Sequence, residues 1–177
     1  TSGNEICDAR FSKCCGGITD EYQYCWDNTS ESYLRSVSDT PETIHPLPDL
    51  TIEENARKWI CTDQPAFCNT QDKAILSQVL NDYDQETADF YRWKVDYTQQ
   101  ELAKLVNEKT GIDLGQIVDL VPLGRGKSGR IWRLKIVGTK RSFTIGKELE
   151  IRRVLSTTHL YSSAFVVDKS DIQDGVP

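Results

Sequence analysis

TQQELAKLVNEKTGIDLGQIVDLVPLGRGKSGRIWRLKIVGTKRSFTIGKELEIRRVL, residues 98–155, carries the signals that decide the fold. It opens with Thr98 and, three residues on, Glu101. That is a capping box: the hydroxyl accepts a bond from the first turn and the carboxylate returns to the cap. Leu102, Leu105 and Val106 form an apolar stripe, and Gly111 supplies a stop, so a helix is expected between the two signals. GQIVDLVPLG (115–124) and RIWRLKIVG (130–138) read as strands, with Trp132, Leu134 and Ile136 on one face of the second. A tight loop then leads to a third strand, SFTIG (142–146), and to a helix, KELEIRRVL (147–155), whose apolar positions are Leu149, Val154 and Leu155.

Working outward, YRWKVDY (91–97) alternates Tyr91, Trp93, Val95 and Tyr97 with Arg92, Lys94 and Asp96, the period of a half-buried strand. SAFVV (163–167) reads as a last strand, and EICDARF (5–11) alternates in the same way. TIEENARKWIC (51–61) carries a second capping box, Thr51 with Glu54, and Pro65 blocks its helix from continuing. TQDKAILSQVLND (70–82) places Ile75, Leu76, Val79 and Leu80 on one helical face. Residues 27–50, rich in Ser, Thr, Asp and Pro, read as a surface excursion. Strands and helices mix without strict βαβ alternation, and no internal repeat is present. The class expected is α+β: mixed strands and short helices in one domain.

Composition bounds the function. The chain has 177 residues, 38% hydrophobic and 27% charged, with a net charge of −6. An acidic chain is a poor ligand for nucleic acid, whose phosphates call for a basic surface. An uncharged or zwitterionic polymer such as a glycan remains compatible. No apolar run approaches the ~20 residues of a membrane helix, so no span is expected. No signal peptide is visible, and the opening TSGNE reads as a cut end, the start of a piece of a longer protein.

Three of the six cysteines fall in CDARFSKCCGG, residues 7–17. Zinc sites favour paired spacings such as Cys-x2-Cys, and none exists here. The two histidines, His45 and His159, stand far off in sequence. A catalytic thiol needs a nearby base, and none is local. Disulfides or buried thiols are therefore expected, drawn from Cys7, Cys14, Cys15, Cys25, Cys61 and Cys68. Cys61 and Cys68 bracket TDQPAF and are placed to staple it; the connectivity of the set is open. Disulfides belong to oxidising compartments, so an exported protein, periplasmic or in the cell envelope, is expected.

GRGKSG (124–129) matches G-x-G-x-x-G letter for letter, but a β-like segment follows where a dinucleotide site needs a helix. A P-loop needs Gly at position 121, where Val121 stands. The segment reads as a strand connection. Asp20 and Glu21 are adjacent carboxylates that normally point apart. Trp93 and Trp132 read as core; Trp26 and Trp59 are less clearly buried. Asn28–Ser30 matches a glycosylation acceptor that matters only in a eukaryotic secretory setting.

The order of motifs resembles the stage II sporulation protein D (SpoIID/LytB) domain family, in its cysteine-rich Bacteroides-type form. ARFSKCCGGITDEYQYCWDNTSESYLRSVSDTP (9–41) carries the first part through Gly16, Gly17, Thr19, Trp26, Tyr33, Leu34, Val37 and Asp39. DFYRWKVDYTQQELAKLV (89–106) carries the second through Tyr91, Trp93 and Leu102. KSGRIWRLKIVGTKRSFTIGKELEIRRVL (127–155) carries the third through Ser128, Gly129, Arg130, Gly138 and the run from Gly146 to Leu155. The resemblance implies one partial domain: 1–40 a Ser/Gly-Gly turn region, 41–88 a helical cysteine-containing insert, and 89–177 a strand–helix–strand region.

It also implies a partner, the glycan strands of peptidoglycan, and an activity in cell-wall remodelling. Members are lytic transglycosylases or enhancers of a cell-wall amidase. The enzymes' glutamate acid/base lies upstream of the Gly-Gly motif, and a Gly/His motif follows the last strand. On that alignment neither falls within 1–177, so no catalytic residue is expected here and the piece alone is expected to be inactive. The glycan-binding candidates are Ser12, Lys13, Gly16, Gly17, Thr19 and Glu21. Some members hold zinc by Cys and His beside the Gly-Gly turn. Cys15 matches the cysteine, but Ser12 stands where the histidine would be. A stapled turn with no cofactor is therefore expected, with a cysteine-based zinc domain kept as an alternative.

Overall fold

The computed structural model describes residues 1–41, 46–80 and 89–170. Its elements are α1 (Tyr22–Cys25), α2 (Glu53–Ile60), α3 (Lys73–Val79), α4 (Gln99–Thr110), β1 (Ile117–Arg125), β2 (Ile131–Gly138), β3 (Ser142–Gly146) and α5 (Glu148–Val154). β1, β2 and β3 form an antiparallel sheet in that order. With its short helices this is a small α+β domain.

The sheet lies where the alternation of 115–146 puts it. Leu134 and Ile136 are fully buried on β2, and Ile117, Ile131 and Ile145 join them. α4 and α5 cover that face with Val106, Ile151 and Val154. Pro122, which has no N–H to give, sits on the edge strand β1 next to a register shift, where an unpaired position costs least. On α5 the buried stripe is Ile151, Val154 and the following Leu155; Leu149 faces outward. The short helix rotates so that Ile151 meets the core, which leaves Leu149 on the far side.

α4 forms as its ends dictate. Thr98 Oγ1 accepts from the Glu101 amide at 3.2 Å, Glu101 Oε2 accepts from the Thr98 amide at 2.9 Å, and Gly111 caps the C-terminus at φ +71°. The matching box at Thr51 does not form. α2 starts one residue later, after Ile52, and Thr51 Oγ1 instead donates to Asp49 Oδ1 at 2.6 Å. The ionised carboxylate two residues back is the stronger local partner.

Three expected strands are not strands. Residues 5–11 pair with nothing beyond a Ser2–Glu5 bridge, and Ile6 and Phe11 are 93% and 91% exposed. Residues 91–97 run without ladder partners; the Arg92 guanidinium ties them to the carbonyls of Trp59 and Thr62, and Tyr97 donates to Leu155 O. Near 163–167 a single backbone–backbone bond, Ile131 N to Ser163 O at 3.0 Å, touches the sheet. Alternation reports one-sided burial; here Trp93 packs on Tyr161 and Phe165 without a neighbouring backbone to complete a ladder. The α3 stripe also fails to find a core, since Ile75 and Val79 are exposed.

A second, smaller cluster joins distant parts of the chain: Ile18, Leu50 and Trp59, flanked by Leu47 and Ile60. It sets α2 beside the Gly-Gly turn. Among the described residues no helix is long and apolar enough to cross a membrane.

Candidate functional site

The site is built on Gly16 and Gly17, both at positive φ (+70° and +96°). At Gly17 a side chain is impossible for a second reason: a Cβ would stand 2.9 Å from Trp59 Cζ2. The indole returns a bond, Trp59 Nε1 donating to Gly16 O at 3.2 Å. Beyond the turn the chain pairs with residues 34–39: Asp39 N donates to Gly17 O (2.8 Å) and Thr19 N to Val37 O (2.9 Å).

The β1–β2 connection locks this turn from below. Arg130, buried, donates to Cys15 O at 2.9 Å and Ile18 O at 3.1 Å. Ser128 Oγ donates to Asp20 Oδ1 at 2.9 Å, and the Cys25 thiol donates to Asp20 Oδ2 at 3.2 Å. Burial pushes the Cys25 thiol up, and the Asp20 charge adds to it. Glu21 is buried at the start of α1, with Lys127 Nζ 3.6 Å from its carboxylate. The literal G-x-G-x-x-G is thus a hairpin connection whose Ser128 and Arg130 serve the neighbouring turn.

Sulfur gathers on the other side. Cys15 Sγ lies 3.5 Å from Cys68 Sγ, and Cys14 Sγ lies 3.9 Å from Cys68 O. Asp39 closes the group: its Oδ2 accepts from the Cys68 amide at 2.9 Å, and one ligand atom from each of Cys15, Asp39 and Cys68 falls within 4.8 Å of the others. The hydrogen bonds that Cys14 and Cys15 direct at Cys68 hold it below the ordinary thiol range and push the two donors above it. The Gly16 and Gly17 amides also face sulfur, Gly16 toward Cys14 and Gly17 toward Cys15 and Cys68. Burial, ahead of the thiol contacts, raises Asp39. All six cysteines are free thiols in this structure, and Cys61 is exposed while Cys68 turns to Cys15.

Two thiols and a carboxylate are a donor set that zinc accepts, but a closed structural site takes four protein ligands and the described residues bring three. His159 is exposed, and His45 lies outside the described residues.

An open groove of about 2460 Å³ runs past the turn. Ser12, Lys13, Gly16, Thr19 and Glu21 line it; Gly17 does not, being buried under Trp59. Thr19 Oγ1 is engaged within the chain, accepting from Val37 N at 2.8 Å, and Lys13 Nζ stands 5.6 Å from the Phe90 ring. Trp26, Tyr33, Trp93 and Tyr161 add aromatic surface, with Arg10 lying over Trp26 at 4.4 Å. Sequence reasoning placed Asp39 in the first motif without a site role and left Cys68 open to pairing with Cys61. Cys68 lies in a turn just after Pro65, where Asn69 N donates to Ala66 O at 3.0 Å, and its sulfur meets Cys15 while Cys61 stays exposed.

Residues 20–176 match the model of a family described as a domain of unknown function, DUF8618, and the chain belongs to that family. No curated protein and no solved structure matches it.

Proposed function

We propose that this chain is the glycan-strand-binding part of an exported, lytic transglycosylase-like cell-wall remodelling protein of the SpoIID kind, with peptidoglycan as its polymer. The observation that carries the reading is convergence. The three stretches that bear the resemblance, far apart in sequence, meet at one groove through Gly16, Tyr91, Trp93, Ser128 and Arg130. The groove pairs exposed aromatic faces (Trp26, Tyr33, Tyr161) with hydroxyl and amide groups. Such surfaces suit a polymer of sugar rings, whose apolar faces stack while their rims hydrogen-bond. In this reading Ser12 and Lys13 contact the polymer from the rim and Gly16 lets its backbone approach, while Glu21, buried beside Lys127, supports the groove from behind. No residue of 1–177 is assigned as the catalytic acid.

The test is co-sedimentation of the folded chain with insoluble sacculi, native or stripped of stem peptides. Binding that persists on stripped strands, and falls several-fold in Trp26→Ala, is the expected result. Binding only to sacculi that keep their stem peptides shifts the reading to a module that delivers an amidase. No binding to either, by a chain with native circular dichroism, overturns it.

A further inference from the structure

We propose that Cys15 and Cys68 are a redox pair whose disulfide staples the Gly-Gly turn to the loop after α2, with Cys14 as the internal exchange thiol. The pairing is read from position. The two sulfurs are 3.5 Å apart, and closing to the ~2.05 Å of a disulfide needs only small side-chain movement. Cys61, the nearer cysteine to Cys68 in sequence, is exposed. Cys14 reaches the Cys68 carbonyl at 3.9 Å, on the same side as Cys15. Asp39 holds the Cys68 backbone through its amide, so the acceptor half of the pair is fixed in place.

The thiolate is the reacting form, and the low side of the pair is Cys68, which the Cys14 and Cys15 thiols favour by hydrogen bonding. The co-reactant is a small or protein disulfide, such as glutathione disulfide or a thiol–disulfide oxidoreductase. Cys68 attacks one of its sulfurs, breaking that S–S bond and forming a mixed disulfide. Cys15 then attacks Cys68 Sγ, and the second thiol departs. Two electrons and the two thiol protons pass from the protein to the co-reactant, which ends as two thiols. Cys14, adjacent to Cys15, can attack Cys68 Sγ in its turn, forming a Cys14–Cys68 bond as the Cys15–Cys68 bond breaks and Cys15 leaves as the thiol.

The cross-link joins residues 53 apart in sequence, so it restrains a long unfolded loop. It also fixes Trp59 against Gly17 at the back of the groove. The inference does not depend on the glycan reading, because its readout is a covalent bond.

The full chain is equilibrated, without added metal, in glutathione buffers of rising oxidised fraction, then alkylated and digested with trypsin. Expected are a loss of two of the six thiols, a cross-link between peptides 14–35 and 59–73, and a rise in thermal midpoint of about 5–15 °C. Both peptides hold more than one cysteine, so the triple variant C14S/C25S/C61S decides the pairing. It keeps the cross-link if Cys15 and Cys68 form it, and C68S loses it. The triple variant retains both partners, so the test stands even if C68S fails to fold. A Cys61–Cys68 or Cys14–Cys15 linkage overturns the proposal. So do six alkylated thiols in folded, oxidised protein, or one equivalent of bound zinc that shields both sulfurs.

Discussion

Tyr91 shows how much one side chain does at the back of the groove. Its hydroxyl donates to Gln64 O at 3.1 Å and stands 3.6 Å from where a Gly17 Cβ would be. Burial pushes its phenol up to about 12, against the opposing effect of the Arg92 guanidinium packed 3.9 Å from the ring. The folded state therefore keeps the Tyr91 proton longer than the unfolded chain, whose phenol titrates near 10.0. Its contribution to stability is whole below pH 10 and is lost as the pH rises from 10 toward about 12. A phenolate absorbance titration of the folded chain is expected to show one late step near 12, absent in Tyr91→Phe. A single step near 10 for every tyrosine would refute this burial. Arg130 works beside it in another way. Its two bonds to Cys15 and Ile18 carbonyls hold the turn with a fork that lysine cannot reproduce.

The two capping boxes give a controlled comparison at the level of elements. Thr98 with Glu101 and Thr51 with Glu54 are indistinguishable as strings, yet only the first closes its reciprocal bonds. Thr98→Ala is expected to cost about 1 kcal/mol in urea unfolding, the ordinary worth of an N-cap. Thr51→Ala is expected to stay within about 0.5 kcal/mol, because no first-turn amide of α2 depends on its hydroxyl. Equal losses would mean that Asp49 does not hold Thr51. The same lesson applies to 91–97, where alternation marks a side that packs on Tyr161 and Phe165 rather than a strand.

Over the whole molecule, Arg125 ties the sheet to the region around α2. Its side chain is 1% exposed; it forks onto both Glu53 carboxylate oxygens (2.6 and 2.7 Å) and also donates to the Gly129 and Phe165 carbonyls. Arg125→Ala returns the half-exposed Glu53 carboxylate to water but leaves the Gly129 and Phe165 carbonyls without this donor, and is expected to destabilise the chain by about 2–4 kcal/mol. Hydrogen exchange is expected to show α2 and the β1–β2 turn losing protection together. Loss confined to the turn would mean that α2 is held by the Ile18–Leu50–Trp59 cluster alone.

The sequence by itself determined the sheet, α4, α5 and the α+β class, because their information is local: caps at both ends, a period of two or 3.6, and a glycine stop. Tertiary structure decided the rest. Whether an alternating run becomes a strand depends on a neighbouring backbone, so 91–97 and 163–167 stayed unpaired. Whether Gly17 reaches solvent depends on Trp59, 42 positions away. Which cysteine meets Cys15 depends on a turn 53 residues on, and no spacing rule spans such a distance.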